Sequence, residues 1–103
     1  MWAQIVKSRS RPDQEEGIRR LPQEFEAREL HREPAPLRIF IFQNQNDPQE
    51  YYTLAFFESE EKARENENSP EQQQRLQHLQ ELFERGPGTP EYIDLIPVFE
   101  WSR

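Results

Sequence analysis

The sequence has no cysteine, two histidines, and three glycines at positions 17, 86 and 88. Without cysteine there is no disulfide, thiolate nucleophile, zinc–thiolate site or iron–sulfur cluster, and a reducing cytoplasm is the expected setting. Three scattered glycines supply no phosphate-cradling loop. Two histidines leave little material for imidazole acid–base or metal chemistry, and no HExxH or DxDxDG spacing occurs. Also missing is any apolar run long enough to span a bilayer, and the opening MWAQIVKSRSRPDQ lacks the pattern of a secretion signal. Positive charge is in deficit: 13 Lys and Arg face 20 Asp and Glu, a net of −7. A phosphate backbone is repelled by such a chain, so neither nucleic acid nor an anionic membrane is an expected partner.

At 103 residues the chain reads as one domain, residues 1–103, able to remove roughly two-thirds of its unfolded surface from water. A hydrophobic share of 33% would by itself suggest disorder, but its distribution argues otherwise. Four segments, 2–6, 37–42, 51–57 and 92–101, hold 22 of the 34 apolar residues. Each is short, rich in aromatic and β-branched residues and bounded by turn chemistry, as strands are. Charge is also uneven: residues 1–38 carry a net of +1 and residues 39–103 a net of −8, as solvated helix faces would.

The first strand, WAQIVKSR, gives way at Pro12 and Asp13 to a helical pattern carried by Ile18, Leu21, Phe25 and Leu30. Gly17 and Pro22 weaken it, which predicts a kink or two short helices ending near His31. Pro34 and Pro36 restore an extended chain, and LRIFIFQN is the second strand. QNDPQ reverses it into YYTLAFFE, giving an antiparallel hairpin. Ser59 with Glu60 and Glu61 starts a polar helix. Ser69-Pro70-Glu71-Gln72 starts another, with a capping-box arrangement and an apolar stripe of Leu76, Leu79, Leu82 and Phe83. Gly86 and Pro87 are expected to end it before a last strand, YIDLIPVFEW, whose Pro97 suits a sheet edge or a bulge.

This order, strand–helix–strand–strand–helix–strand, is the split βαβ pattern of an α+β, ferredoxin-like fold with a four-stranded antiparallel sheet. Two helical regions cover one face of such a sheet. Yet Ile39 and Ile41 alternate with Phe40 and Phe42, and Leu54 and Phe56 with Ala55 and Phe57, so both faces are apolar. The simplest cover for the second face is a symmetric copy of the chain, hence an expected homodimer.

FFESEEKARENENSPEQ resembles the strand–Phe/Trp-Glu-Ser-Glu-Glu–helix–Ser-Pro-Glu signature of antibiotic biosynthesis monooxygenase-like domains, and RPDQEEG after the first strand extends the likeness over nearly the whole chain. The matching residues, Phe57, Glu58, Ser59, Glu60, Glu61, Ser69 and Pro70, are turn, cap and packing positions. The resemblance implies a dimeric α/β barrel with a ligand pocket between each sheet and its helices. It also implies a cofactor-independent monooxygenase-like activity on a small aromatic or quinol-like molecule. The alternative is a non-catalytic homodimeric small-molecule-binding or assembly module of the same fold. The haem-degrading branch of the family uses an asparagine, a tryptophan and a histidine at positions that here hold Ser8, Asn66 and Leu76. None matches, so no cofactor is expected.

Candidate chemistry among the residues is sparse. His31 suits the C-terminal end of the first helix as a cap. His78, beside the Leu76/Leu79 stripe, is either an ordinary boundary residue or a general base, and Asn66 is the other catalytic candidate. Tyr52, Arg38 and Phe57 are candidates for holding a flat hydrophobic or aromatic ligand. The abundant carboxylates read as solvated helix faces, no metal ligand set emerges, and Ser59 and Ser69 are explained as caps.

Overall fold

A computed structural model describes residues 1–28, 35–86 and 90–103. Its elements are β1 (Trp2–Arg9), α1 (Glu15–Arg28), β2 (Arg38–Asn44), β3 (Asp47–Phe57), α2 (Glu60–Glu67), α3 (Pro70–Leu82) and β4 (Glu91–Leu95). The strands form one antiparallel sheet in the order β2-β3-β1-β4, the ferredoxin-like arrangement. The expected roles of Leu30, His31, Pro34 and Pro87 lie outside the described residues.

Local chemistry explains most boundaries. The chain leaves β1 through a turn in which Asp13 adopts φ 68, the left-handed region that Asp tolerates better than most residues. α1 then runs as one helix with Pro22 inside it, where two short helices were an alternative expectation. Ser59 and Ser69 cap α2 and α3, each hydroxyl accepting from the backbone N–H three residues on, at 3.2 Å. Only half of the capping box forms: the Ser69 N–H donates to the Asn66 carbonyl, and Gln72 Oε1 is left without a partner.

Three sequence expectations need correction. The β2–β3 reversal is tighter than QNDPQ suggested: Gln45 and Asn46 alone make the turn, and Asp47 and Pro48 already belong to β3. A register shift at Gln43/Asn44 absorbs the proline, and Asn44 Oδ1 accepts from the Asn46 N–H at 2.8 Å. α3 ends at Leu82, ahead of Gly86, because Phe83 turns extended and bridges Ser10. Two backbone bonds fasten that junction, Arg11 N to Leu82 O at 2.8 Å and Glu84 N to Arg9 O at 2.7 Å. Finally, β4 stops at Leu95, two residues before Pro97, so 96–101 are not strand.

Antiparallel partners share a face, so the register assigns every strand side chain. Ser8, Tyr51, Phe57 and Ile41 face the helices. Ile18 and Leu21 of α1, Tyr51 of β3 and Leu82 of α3 form the buried cluster there, with Ile41, Leu79 and Phe83 packed against it. α1 approaches Leu82 so closely at Gly17 that a Cβ there would lie 2.7 Å from Leu82 Cδ2. Gly17 therefore weakens the helix locally and permits its packing.

Candidate functional site

Side-chain alternation along β1 puts Trp2, Gln4, Val6, Ser8 and Ser10 on the helix side, opposite Phe57, Ala55, Thr53 and Tyr51 of β3 for the first four. α2 turns Ala63 and Asn66, three apart and hence neighbours on one helix face, into the interior. Ser8, Ser10 and Asn66 are the buried polar side chains among the described residues, and all three are uncharged. Tyr51 is also buried. Its hydroxyl accepts from Gln43 Nε2 at 3.2 Å, and burial pushes its phenol pKa up. Phe57, the largest fully buried side chain, packs on the same face of the sheet. Several polar atoms on this side lack a hydrogen-bond partner: Trp2 Nε1, Ser10 Oγ and Gln72 Oε1. Buried polar atoms normally find partners, so these are open to a bound molecule or water.

The rim of this layer is charged. Arg64 of α2 binds Asp94 at 2.9 Å and Glu67 at 2.8 Å, and its guanidinium lies 5.6 Å from the centre of the Trp2 ring. Gln4 Nε2 donates to Glu67 at 2.7 Å and to Asp94 at 3.1 Å. The Arg64 hydrogen bond, then that of Gln4, holds the Asp94 carboxyl below its ordinary pKa. Together these contacts clasp the edge strand β4 to α2 and β1.

The opposite face of the sheet is aromatic and uncovered. Phe40 stacks on Phe42 with centroids 5.8 Å apart and meets Phe56 edge-on at 6.3 Å. The Arg38 guanidinium sits 4.8 Å over the Phe40 ring. Tyr52 donates a hydrogen bond to Glu50, which lowers the Glu50 pKa and raises that of Tyr52. Ile5, Leu54, Ile93 and Leu95 complete this face by register.

The five residues singled out from the sequence therefore lie in three places. Tyr52 and Arg38 are on the open face. Phe57 and Asn66 are on the helix side. His78 projects from α3 into solvent, with Nε2 3.2 Å from Glu24 and Nδ1 3.8 Å from Glu81. Sequence reasoning missed Ser10, Gln72 and Trp2 as carriers of unpaired polar atoms. Period-two alternation puts Trp2, Ser8 and Ser10 on one face of β1, but which face meets the helices is decided by tertiary packing. Among the described residues no cluster of three or more His, Asp or Glu converges as a metal site.

A family model described as antibiotic biosynthesis monooxygenase matches residues 1–88. The chain belongs to that family. No curated protein matches the sequence. Among solved structures, Rv0793 of Mycobacterium tuberculosis is similar at TM-score 0.76 and 19% identity, covering 98% of each chain. A Chloroflexus aurantiacus J-10-fl protein bearing the monooxygenase family name is similar at TM-score 0.72 and 20% identity, covering 98% of this chain and 96% of its own. A Deinococcus radiodurans protein of the same name reaches TM-score 0.78 at 9% identity, covering 100% of this chain and 98% of its own. At such identities the likeness is one of fold. In this member of the antibiotic biosynthesis monooxygenase family, Ser59 and Ser69 cap α2 and α3 and Phe57 is buried at the end of β3.

Proposed function

We propose that the chain works as a homodimer whose protomers are cofactor-independent monooxygenase-like enzymes, each taking a small aromatic or quinol-like molecule between its sheet and its helices. The observation that carries this reading is the layer of buried, uncharged polar groups, Ser8, Ser10 and Asn66, set among the walls Tyr51 and Phe57. Family membership supports the reaction class. Without a cofactor, the substrate itself supplies electrons to dioxygen, so the protein's share is to bind, accept a proton and exclude water. Apolar walls with a few neutral hydrogen-bonding groups suit a flat molecule carrying hydroxyls. Two carboxylates on this side, Glu67 and Asp94, are tied to Gln4.

A second reading, a non-catalytic small-molecule-binding or assembly module, draws on a different observation. Among the buried side chains described, Tyr51 is the one ionisable group, so no buried base is in place. Oxygen uptake measured over a panel of hydroquinones and polycyclic phenols separates the two. Uptake coupled to substrate loss, and abolished by Asn66→Leu, supports the enzyme. Saturable binding with no uptake across the panel favours the module, and absence of both refutes a helix-side ligand.

A further inference from the structure

We infer that the α2 end of the helix side is a subsite of its own, where the Trp2 indole N–H donates to a carbonyl oxygen of an uncharged aromatic molecule and Arg64 is the latch over it. This rests on the reading that a small molecule binds between sheet and helices, and it names the contact that orients the molecule there. Trp2 opens β1, and Ser8 lies six residues along the same strand, about 20 Å away. The buried hydroxyls of Ser8 and Ser10 therefore belong to the other end of the layer. At the Trp2 end, β1 pairs with Phe57 of β3, and α2 lies alongside. The Arg64 guanidinium is 5.6 Å from the centre of the Trp2 ring, and Glu67 accepts from Gln4 at 2.7 Å. Asn66, the residue before Glu67, is turned inward on the same helix.

The chemistry of the cluster selects the ligand. Trp2 Nε1 is buried without an acceptor, and an indole N–H only donates. Leaving such a donor unpaired is costly, so a molecule that brings an oxygen to it is favoured over one that does not. Arg64 faces three carboxylates: Glu60 at 3.5 Å, Glu67 at 2.8 Å and Asp94 at 2.9 Å. The surplus of negative charge repels a carboxylate or phosphate, and an organic cation brings no acceptor for the indole. An uncharged carbonyl on a ring that packs against Trp2 satisfies both conditions. The same three carboxylates make Arg64 a latch. Glu60 and Glu67 belong to α2 itself, whereas Asp94 belongs to β4, so Arg64 releases Asp94 and stays paired on its own helix. Both partners are part-exposed, where an ion pair is weak. β4 pairs with β1 alone and all five of its residues are exposed, so parting it from α2 breaks no core.

Trp2 and Trp101 are the two tryptophans, so in a full-length Trp101→Phe chain the single indole N–H signal of a proton–nitrogen NMR spectrum belongs to Trp2. The probe is 1,4-naphthoquinone, which finds no cysteine to alkylate, and naphthalene is the analogue without an acceptor. Naphthoquinone should move the Trp2 signal downfield saturably and naphthalene should not. Adding Trp2→Phe should weaken naphthoquinone binding about tenfold, the loss of one hydrogen bond. Adding Asp94→Asn instead should bring the quinone on several-fold faster, with the indole proton exchanging faster with solvent. Saturable binding that leaves the Trp2 signal unmoved overturns the inference and leaves the helix-side ligand standing. No binding of naphthoquinone or of any hydroquinone or phenol in the panel overturns both. An Asp94→Asn chain with unchanged rates refutes the latch. Should Trp2→Phe fail to fold, the titration of the Trp101→Phe chain decides by itself.

Discussion

On β2, Ile41 packs into the helix-side core while Phe42, its neighbour in sequence, points the other way and is half exposed. The same strand serves two environments. On the helix side, apolar side chains from three elements close around a few neutral polar groups. On the open side, the aromatic side chains Phe40, Phe42 and Phe56 contact one another in the absence of a second layer. Similar hydrophobic content is therefore buried against the helices on one face and left exposed on the other. The two faces should respond to substitution in opposite ways.

Leu82→Ala breaks the helix side. It removes a side chain 4% exposed at the meeting point of α1, α3 and β3, and should cost about 3 kcal/mol in urea unfolding of the protomer. Phe42→Asp attacks the open side. It should change protomer stability by no more than about 1 kcal/mol yet raise the dimer dissociation constant by at least about 100-fold, read by sedimentation at several concentrations. If Phe42→Asp instead destabilises the protomer as much as Leu82→Ala does, the distinction between the faces fails.

Two smaller effects sharpen the helix side. Gly17→Ala should gain about 1 kcal/mol of helix propensity, but it also drives a Cβ into Leu82. With overpacking at about 1–3 kcal/mol, the net expectation is a loss near 1 kcal/mol. A stabilised variant would mean that Leu82 moves aside freely. Asp94 tests the rim. Its folded pKa is lowered by Arg64, so its contribution is present above the ordinary carboxylate range and is lost as pH falls through the lowered value. Asp94→Asn should be slightly less stable than wild type at neutral pH, and the gap between their urea midpoints should close in acid. A gap independent of pH would separate the Arg64 clasp from the charge of Asp94.

Much of the fold was legible in the sequence. β1 could be read to its observed ends, Ser59 and Ser69 act as the caps their spacing implied, and the element order follows. The facing of the strands was not legible, because Ile39/Ile41 and Phe40/Phe42 are both apolar and a one-residue slip exchanges the faces. The end of β4 was obscured because Ile96, Val98, Phe99 and Trp101 have strand-like composition while Pro97 denies them a ladder. The early end of α3 depends on a bridge between Phe83 and Ser10, residues 73 apart, for which no local signal exists. The candidate site was legible only piecemeal. Asn66 and Phe57 could be named, whereas the unpaired atoms of Ser10, Gln72 and Trp2 arise from tertiary packing.

The pairing of the open faces is best tested by native mass spectrometry of the full chain, purified without added ligand and sprayed over a range of concentrations. A dimer of two 103-residue chains that persists on dilution into the micromolar range is expected, and retained mass would identify the helix-side ligand class. A monomer at every concentration would refute the homodimer, because the aromatic face and the exposed apolar residues Ile96, Val98, Phe99 and Trp101 would then all stand in water.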